Sequence, residues 1–400
     1  MRYRHLLSIA AFLVMCVPER AFCAADTPGA PAWTRGLSTR QDYFPIAVWL
    51  QAPKNAPKYK AIGINLYVGL WQGPTEAQLA ELRTHGMPVI CEQNEYALAH
   101  LDERIIVGWM HGDEPDNAQA KAGGGYGPPI PAATIAESYR QIAKNDPTRP
   151  VMLNLGQGVA WDGWYGRGVR TNHPEDYAEY VKGADIASFD IYPACHDKPA
   201  VAGKLWYVAV GVSRLKKWAG ARPVWNCLEC TNISNLKAAP TPRDVRAEAW
   251  MAIIHGSRGF IYFSHKFAPS FVEAGLLADK EMSTAVGALN TQVQRLAPVI
   301  NSPADANDVK ITTDAPPVAP ELAKELSTGP VAMLAKRHAN AVYIFAVRME
   351  GTPARATFTL PGAPAAAKAT VIDEQRTLTL EGGSFSDTFE AYAVHLYEIK

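Results

Sequence analysis

Net charge is the first thing this chain lacks. Its 39 lysines and arginines balance 39 aspartates and glutamates, and no block of like charges breaks the balance. A nucleic-acid partner or an anionic membrane surface held by charge is therefore not expected. Long apolar runs are missing too. Leu6 to Val17 is too short to cross a bilayer. Behind Arg2 and Arg4, and ahead of the small residues Cys23-Ala24-Ala25, it reads as the core of an export leader over residues 1–25. A lipoprotein site at Cys16 or Cys23 is the weaker reading, because Met15 and Phe22 are larger than the residue such a site wants. The mature protein is expected to be secreted or periplasmic.

Cysteine is scarce. Once Cys16 and Cys23 leave with the leader, Cys91, Cys195, Cys227 and Cys230 remain. A Cys195–Cys230 bridge and free buried thiols both stay open. Cys227-x-x-Cys230 has no second ligand pair at zinc spacing. The first apolar strand runs into Leu50-Gln51-Ala52-Pro53, not into a glycine-rich phosphate loop, and it carries no His-x-His. Without that histidine pair, His111, His196 and His265 make a poor ligand set, and no cofactor or metal is expected. Oligomeric state is not legible.

What the chain does have is alternation. Apolar strands are expected at Phe44 to Leu50, Ala61 to Tyr67, Pro88 to Glu92, Ile105 to Met110, Val151 to Leu155, Ile186 to Ile191, Val224 to Leu228 and Phe260 to Phe263. Amphipathic stretches lie between them, such as Ala132 to Lys144, Leu205 to Trp218 and Pro242 to His255. Thr75 before Glu76 and Thr241 before Pro242 are helix-start signals. Eight such units predict an α/β fold, a (β/α)8 TIM barrel spanning residues 26–300. After Ile300 short strands with turn signals predict a small all-β sandwich over residues 301–400.

A barrel places its chemistry at the C-terminal ends of its strands. The stretch Ile105 to Pro115, IIVGWMHGDEP, ends strand four in Asp113 and Glu114. The stretch Pro223 to Cys230, PVWNCLEC, ends strand seven in Glu229. A charge closing a buried apolar strand is costly unless it is paired or working. Alternation would set Trp225, Cys227 and Glu229 on one face, so Glu114 and Glu229 are expected to face one cleft from opposite walls. Asn154, Asp190, Tyr192 and His265 also sit at strand ends. Trp49, Trp161 and Trp164 offer ring faces on which a ligand could stack, with core filling as the plainer reading for Trp49. The run Lys121 to Pro131, KAGGGYGPPIP, reads as a loop over the same face.

In this layout the chain resembles the retaining glycoside hydrolases of clan A, over roughly Phe44 to Ile300. The resemblance implies a two-glutamate double displacement on β-glycosidic bonds of an oligo- or polysaccharide, with Glu114 as acid/base and Glu229 as nucleophile. It further implies that Tyr192, in Phe189-Asp190-Ile191-Tyr192-Pro193, hydrogen-bonds the nucleophile. Where clan A usually has asparagine before the acid/base, this chain has Asp113, a sugar contact or a helix cap. A catalytically silent carbohydrate-binding protein on the same scaffold is the alternative.

Overall fold

A computed structural model describes residues 33–303, 305–364 and 366–400, so the expected leader lies outside the described residues. Eight parallel strands form the first sheet: β1 (Ile46–Trp49), β2 (Leu66–Val68), β3 (Val89–Cys91), β4 (Ile106–Met110), β5 (Val151–Leu155), β6 (Ile186–Phe189), β7 (Asn226–Glu229) and β8 (Phe260–Phe263). Their spatial order is β6-β5-β4-β3-β2-β1-β8-β7. The ends meet where Ala187 bridges Val224 and the Trp225 amide donates to the Ala187 carbonyl at 2.9 Å. The sheet is thus closed into a (β/α)8 barrel, as the alternation predicted.

The helices are α1 (Ala56–Ala61), α2 (Glu76–His85), α3 (Glu95–Ala99), α4 (Ala132–Asn145), α5 (Tyr177–Tyr180), α6 (Tyr207–Ala219), α7 (Pro242–His255), α8 (Gly275–Ala278), α9 (Lys280–Ile300) and α10 (Pro320–Glu325). Thr75 and Thr241 each accept a backbone amide from the third helical residue, and both form full capping boxes. Helix α1 is a correction to the sequence reading, which began strand two at Ala61. The chain there is still helical, and it turns at Gly63, whose φ of +78° favours glycine.

Strand alternation sorts the core into two shells. Ala47, Leu66, Ile90, Met152, Trp225, Cys227 and Ile261 fill the barrel interior. Val48, Tyr67, Val89, Leu153, Val224 and Leu228 pack outward against the helices. Four cysteines, Cys91, Cys195, Cys227 and Cys230, are free and buried.

Beyond α9 the chain is all-β apart from α10. One sheet has five strands in the order β10 (Val331–His338), β11 (Ala341–Arg348), β16 (Val394–Ile399), β13 (Lys368–Val371) and β14 (Arg376–Thr379). The other has three, in the order β15 (Ser384–Phe389), β12 (Ala354–Thr359) and β9 (Lys310–Thr313). The sequence places strands at Val331 to Ala335, Ala341 to Arg348, Arg355 to Leu360, Ala369 to Val371, Thr377 to Leu380 and Ala391 to Ile399, and none at β9 or β15. In β15 the buried positions are Phe385, Asp387 and Phe389, and the buried aspartate masks the apolar period; it accepts from Tyr397 Oη at 2.8 Å. Helix α7 joins the two parts, its Trp250 ring lying 5.0 Å from Phe345 of β11.

Candidate active site

Strand β4 delivers its acids to the C-terminal mouth of the barrel. Past Met110 the chain bends, and Glu114 takes a φ of +44°, a left-handed conformation that a glutamate rarely adopts. The next acid holds this bend. Asp116 is fully buried and accepts the Gly156 amide at 2.9 Å and the Tyr177 hydroxyl at 2.8 Å, with Arg167 4.0 Å away. The bend brings the Glu114 carboxyl against the Gly156 backbone, where a Cβ would lie 2.8 Å from Glu114 Oε1.

A cluster of carboxyls results. Solvent reaches Asp113 and part of Glu114, yet protein surrounds both on most sides, as on the floor of a cleft. Burial pushes Glu114 up to about 8, and the charges of Asp113 and Asp116 add to the rise. Burial also pushes Asp113 up, but only to about 6, because Asn154 Nδ2 donates to Asp113 Oδ1 at 2.9 Å and favours the charged form. Asp190, past the end of β6, is nearly sealed from solvent. Burial and the neighbouring Glu114 raise it well above the usual carboxylate range, and its Oδ1 has no hydrogen-bond partner. Tyr192 Oη reaches Asp190 Oδ2 at 3.5 Å.

Glu229, the last residue of β7, is held differently. It has no exposed surface, and its two carboxylate oxygens accept the backbone amides of Ala194 at 2.6 Å and Cys195 at 2.7 Å. The carboxyl that acts on it is Glu248 of α7, while Asp113, Asp116 and Asp190 are the ones that act on Glu114. Glu114 and Glu229 thus differ in their hydrogen-bonding surroundings, Glu229 being held by two backbone amides of the loop after β6. As the last residue of β7, Glu229 has no further strand to fix its side chain, which reaches the loop after β6. Tyr192 correspondingly hydrogen-bonds to Asp190 and not to Glu229.

The other expected site residues divide. Asn154 joins the cluster through Asp113. Trp164 Nε1 donates to Asn117 Oδ1 at 2.9 Å, and Asn117 in turn touches Glu114. The Trp161 ring lies 6.3 Å from Trp164 and 5.7 Å from His196. A groove of about 770 Å³ opens here between Trp164, Tyr165, Tyr192, His196 and Leu236. Trp49 is barrel core, only 6% exposed. His265 points a ring nitrogen at the Leu50 carbonyl, 3.1 Å away, and its ring packs among Phe263, Phe267 and Phe271.

Several residues escaped the sequence reading. Asp116 was legible as the last letter of Asp113-Glu114-Pro115-Asp116, an acid on the same turn. Its partner Arg167 carried no local signal. Phe267 and Phe271, with rings 5.5 Å apart, are exposed beside the mouth of the barrel. The glycine-rich run closes into a small turn in which Ala120 bridges Tyr126. A second cavity, about 660 Å³, lies at the opposite end of the barrel against Pro45, Pro223 and Trp225, away from the carboxyl cluster. Among the described residues no group of three or more His, Cys, Asp or Glu side chains is arranged to hold a metal ion. No helix among them is long and apolar enough to cross a membrane.

No protein-family model matches the chain, and comparison with curated proteins gives no match. Solved structures do align. A catalytic mutant of a GH42 beta-galactosidase from G. stearothermophilus matches 89% of this chain and 98% of its own, with a TM-score of 0.56 and 8% identity. A GH30 subfamily 8 xylanase from Clostridium acetobutylicum matches 89% of this chain and 96% of its own, with a TM-score of 0.46 and 12% identity. An alpha-amylase from Geobacillus thermoleovorans, complexed with acarbose, matches 91% and 99%, with a TM-score of 0.46 and 10% identity. The likeness to the GH42 enzyme is one of fold.

Proposed function

We propose that this protein is an exported glycoside hydrolase that cleaves β-glycosidic bonds in an oligo- or polysaccharide, with Glu114 as the proton donor. The observation that carries the reading is the carboxyl cluster past β4, in which burial and the charges of Asp113 and Asp116 push Glu114 up while Asn154 Nδ2 donates to Asp113 Oδ1 at 2.9 Å and favours its charged form. Glu114 is thereby the carboxyl favoured to hold a proton and Asp113 the one favoured to be charged. A glycosidic oxygen leaves as an alcohol only if it is protonated as the bond breaks, while positive charge builds on the sugar ring. Glu114 supplies the proton, Asp113 stabilises the charge, and water then bonds to the anomeric carbon and gives up a proton to the Glu114 carboxylate. The groove walled by Trp164, Tyr165 and Tyr192 suits the apolar faces of sugar rings. The fold shared with a GH42 beta-galactosidase agrees with this substrate class.

Double displacement through Glu229 would require that carboxylate to leave the Ala194 and Cys195 amides. A second reading, a carbohydrate-binding protein without turnover, draws support from the same burial of Glu229. Release of reducing ends from nitrophenyl β-glycosides, xylan, galactan and glucans separates the two. Wild-type activity on the polysaccharides that is lost in Glu114→Gln supports the hydrolase. Binding without release in the wild type supports the silent protein.

A further inference from the structure

The loop after β6 forms one wall of the groove, and three contacts hold it. His196 Nδ1 accepts the Lys198 amide at 3.0 Å, which leaves Nε2–H to donate to Gln157 Oε1 at 2.9 Å. Asn235 Nδ2 donates to the Cys195 carbonyl at 2.9 Å. Beneath them Glu229 takes the Ala194 and Cys195 amides, one on each oxygen. Next to Glu229, and equally closed to solvent, lies Glu248, whose two carboxyl oxygens have no hydrogen bond of ordinary geometry. The strongest charge acting on Glu248 is Glu229.

Two buried carboxylates side by side cannot both stay charged at acceptable cost. The other ionisable groups acting here are Cys195, Cys230 and Asp244, none of them a cation. One proton shared by the pair resolves this. Glu248 keeps it and donates to Glu229, so the Glu229 carboxylate receives two N–H and one O–H beside the Cys195 thiol.

We infer that Glu229 and Glu248 form a one-proton clamp that fixes the loop bearing Tyr192 and His196, so that Glu229 is a positioning residue and not the attacking group. The positioning role rests on the hydrolase reading; the clamp itself does not. A positioned wall governs how substrate is held, whereas a missing nucleophile abolishes the chemical step.

Amide hydrogen exchange at Ala194 and Cys195 tests the clamp with or without turnover. Both amides are slow in the wild type and in Glu248→Gln, whose side-chain amide can replace the O–H donor. Both exchange at least about tenfold faster in Glu248→Ala. On a cleaved glycoside, Glu248→Ala raises KM about tenfold with kcat changed less than about threefold, and Glu248→Gln restores KM. Unchanged exchange in Glu248→Ala overturns the clamp. Glu229→Gly, inactive alone but forming glycosyl azide when azide is added, overturns the positioning role. If the wild type cleaves nothing, the hydrolase reading falls and exchange still decides the clamp.

Discussion

Asn154 on β5 donates its side-chain amide to Asp113 at the end of β4, across 2.9 Å. The bond opposes the burial that lifts Asp113 to about 6. Asn154→Ala removes a donor to the charged form, so the Asp113 pKa rises. The acidic limb of kcat/KM then moves to higher pH, and the rate at pH 6 falls by about threefold to tenfold. A pH–rate profile checks this; an unmoved acidic limb takes Asp113 out of the reacting pair.

Glu114→Gln keeps the shape of the side chain and removes the proton. Turnover of glycosides with poor leaving groups falls by about 10²–10⁴-fold, while nitrophenyl glycosides, which need less protonation, lose less. Comparing the two substrate classes on one variant gives the result. Equal losses on both would argue against Glu114 as the acid.

Folding stability carries a sign of its own. Glu114 rises from an ordinary 4.5 to about 8 and Asp113 from 3.8 to about 6, so over this interval the native state holds protons that the unfolded chain has released. Their contribution is intact below about pH 4 and is lost as pH rises through 6 and towards 8. Thermal denaturation from pH 5 to pH 8 should show Tm falling, and Glu114→Gln should flatten the fall.

Phe267 and Phe271 are 48% and 61% exposed, and the aromatic line from Tyr192 through Phe263 leads to them with ring spacings of 5.2 and 6.3 Å. Replacing both with alanine should leave Tm within about 1–2 °C, because exposed side chains contribute little to stability. KM for long oligosaccharides should rise about tenfold while short nitrophenyl glycosides stay unchanged, since stacking on one aromatic ring contributes about 0.5–1.5 kcal/mol. Equal effects on long and short substrates would remove these rings from the binding track.

Gly211 of α6 faces Phe189, the last residue of β6, and an added Cβ would lie 2.1 Å from that ring. Gly211→Ala must push the ring or the helix aside and should destabilise the fold by about 1–3 kcal/mol. Phe189 directly precedes Asp190, so activity should fall as well. Urea unfolding gives the first quantity and kcat the second.

The barrel was legible because period and order were both present. Strands β5 and β8 and helix α7 lie where alternation and the Thr241-Pro242 start put them. Glu114 was legible for the same reason, as an acid at a strand end. Glu229 shows where such reasoning stops, since strand parity fixes a backbone direction while the carboxylate follows the nearest donors. Those donors, Ala194 and Cys195, belong to a different loop, and Glu248 is 19 positions along the chain, inside an ordinary helical pattern. Arg167 was hidden similarly, because its partners Asp116 and Asp176 meet it only in the folded chain.

Helix α7 carries Glu248 towards the barrel mouth and, two residues on, Trp250 against Phe345 of the C-terminal sheets. The two contacts are on one rigid rod. Any rearrangement that tilts the β-sandwich against α7 also shifts the carboxyl beneath the loop after β6.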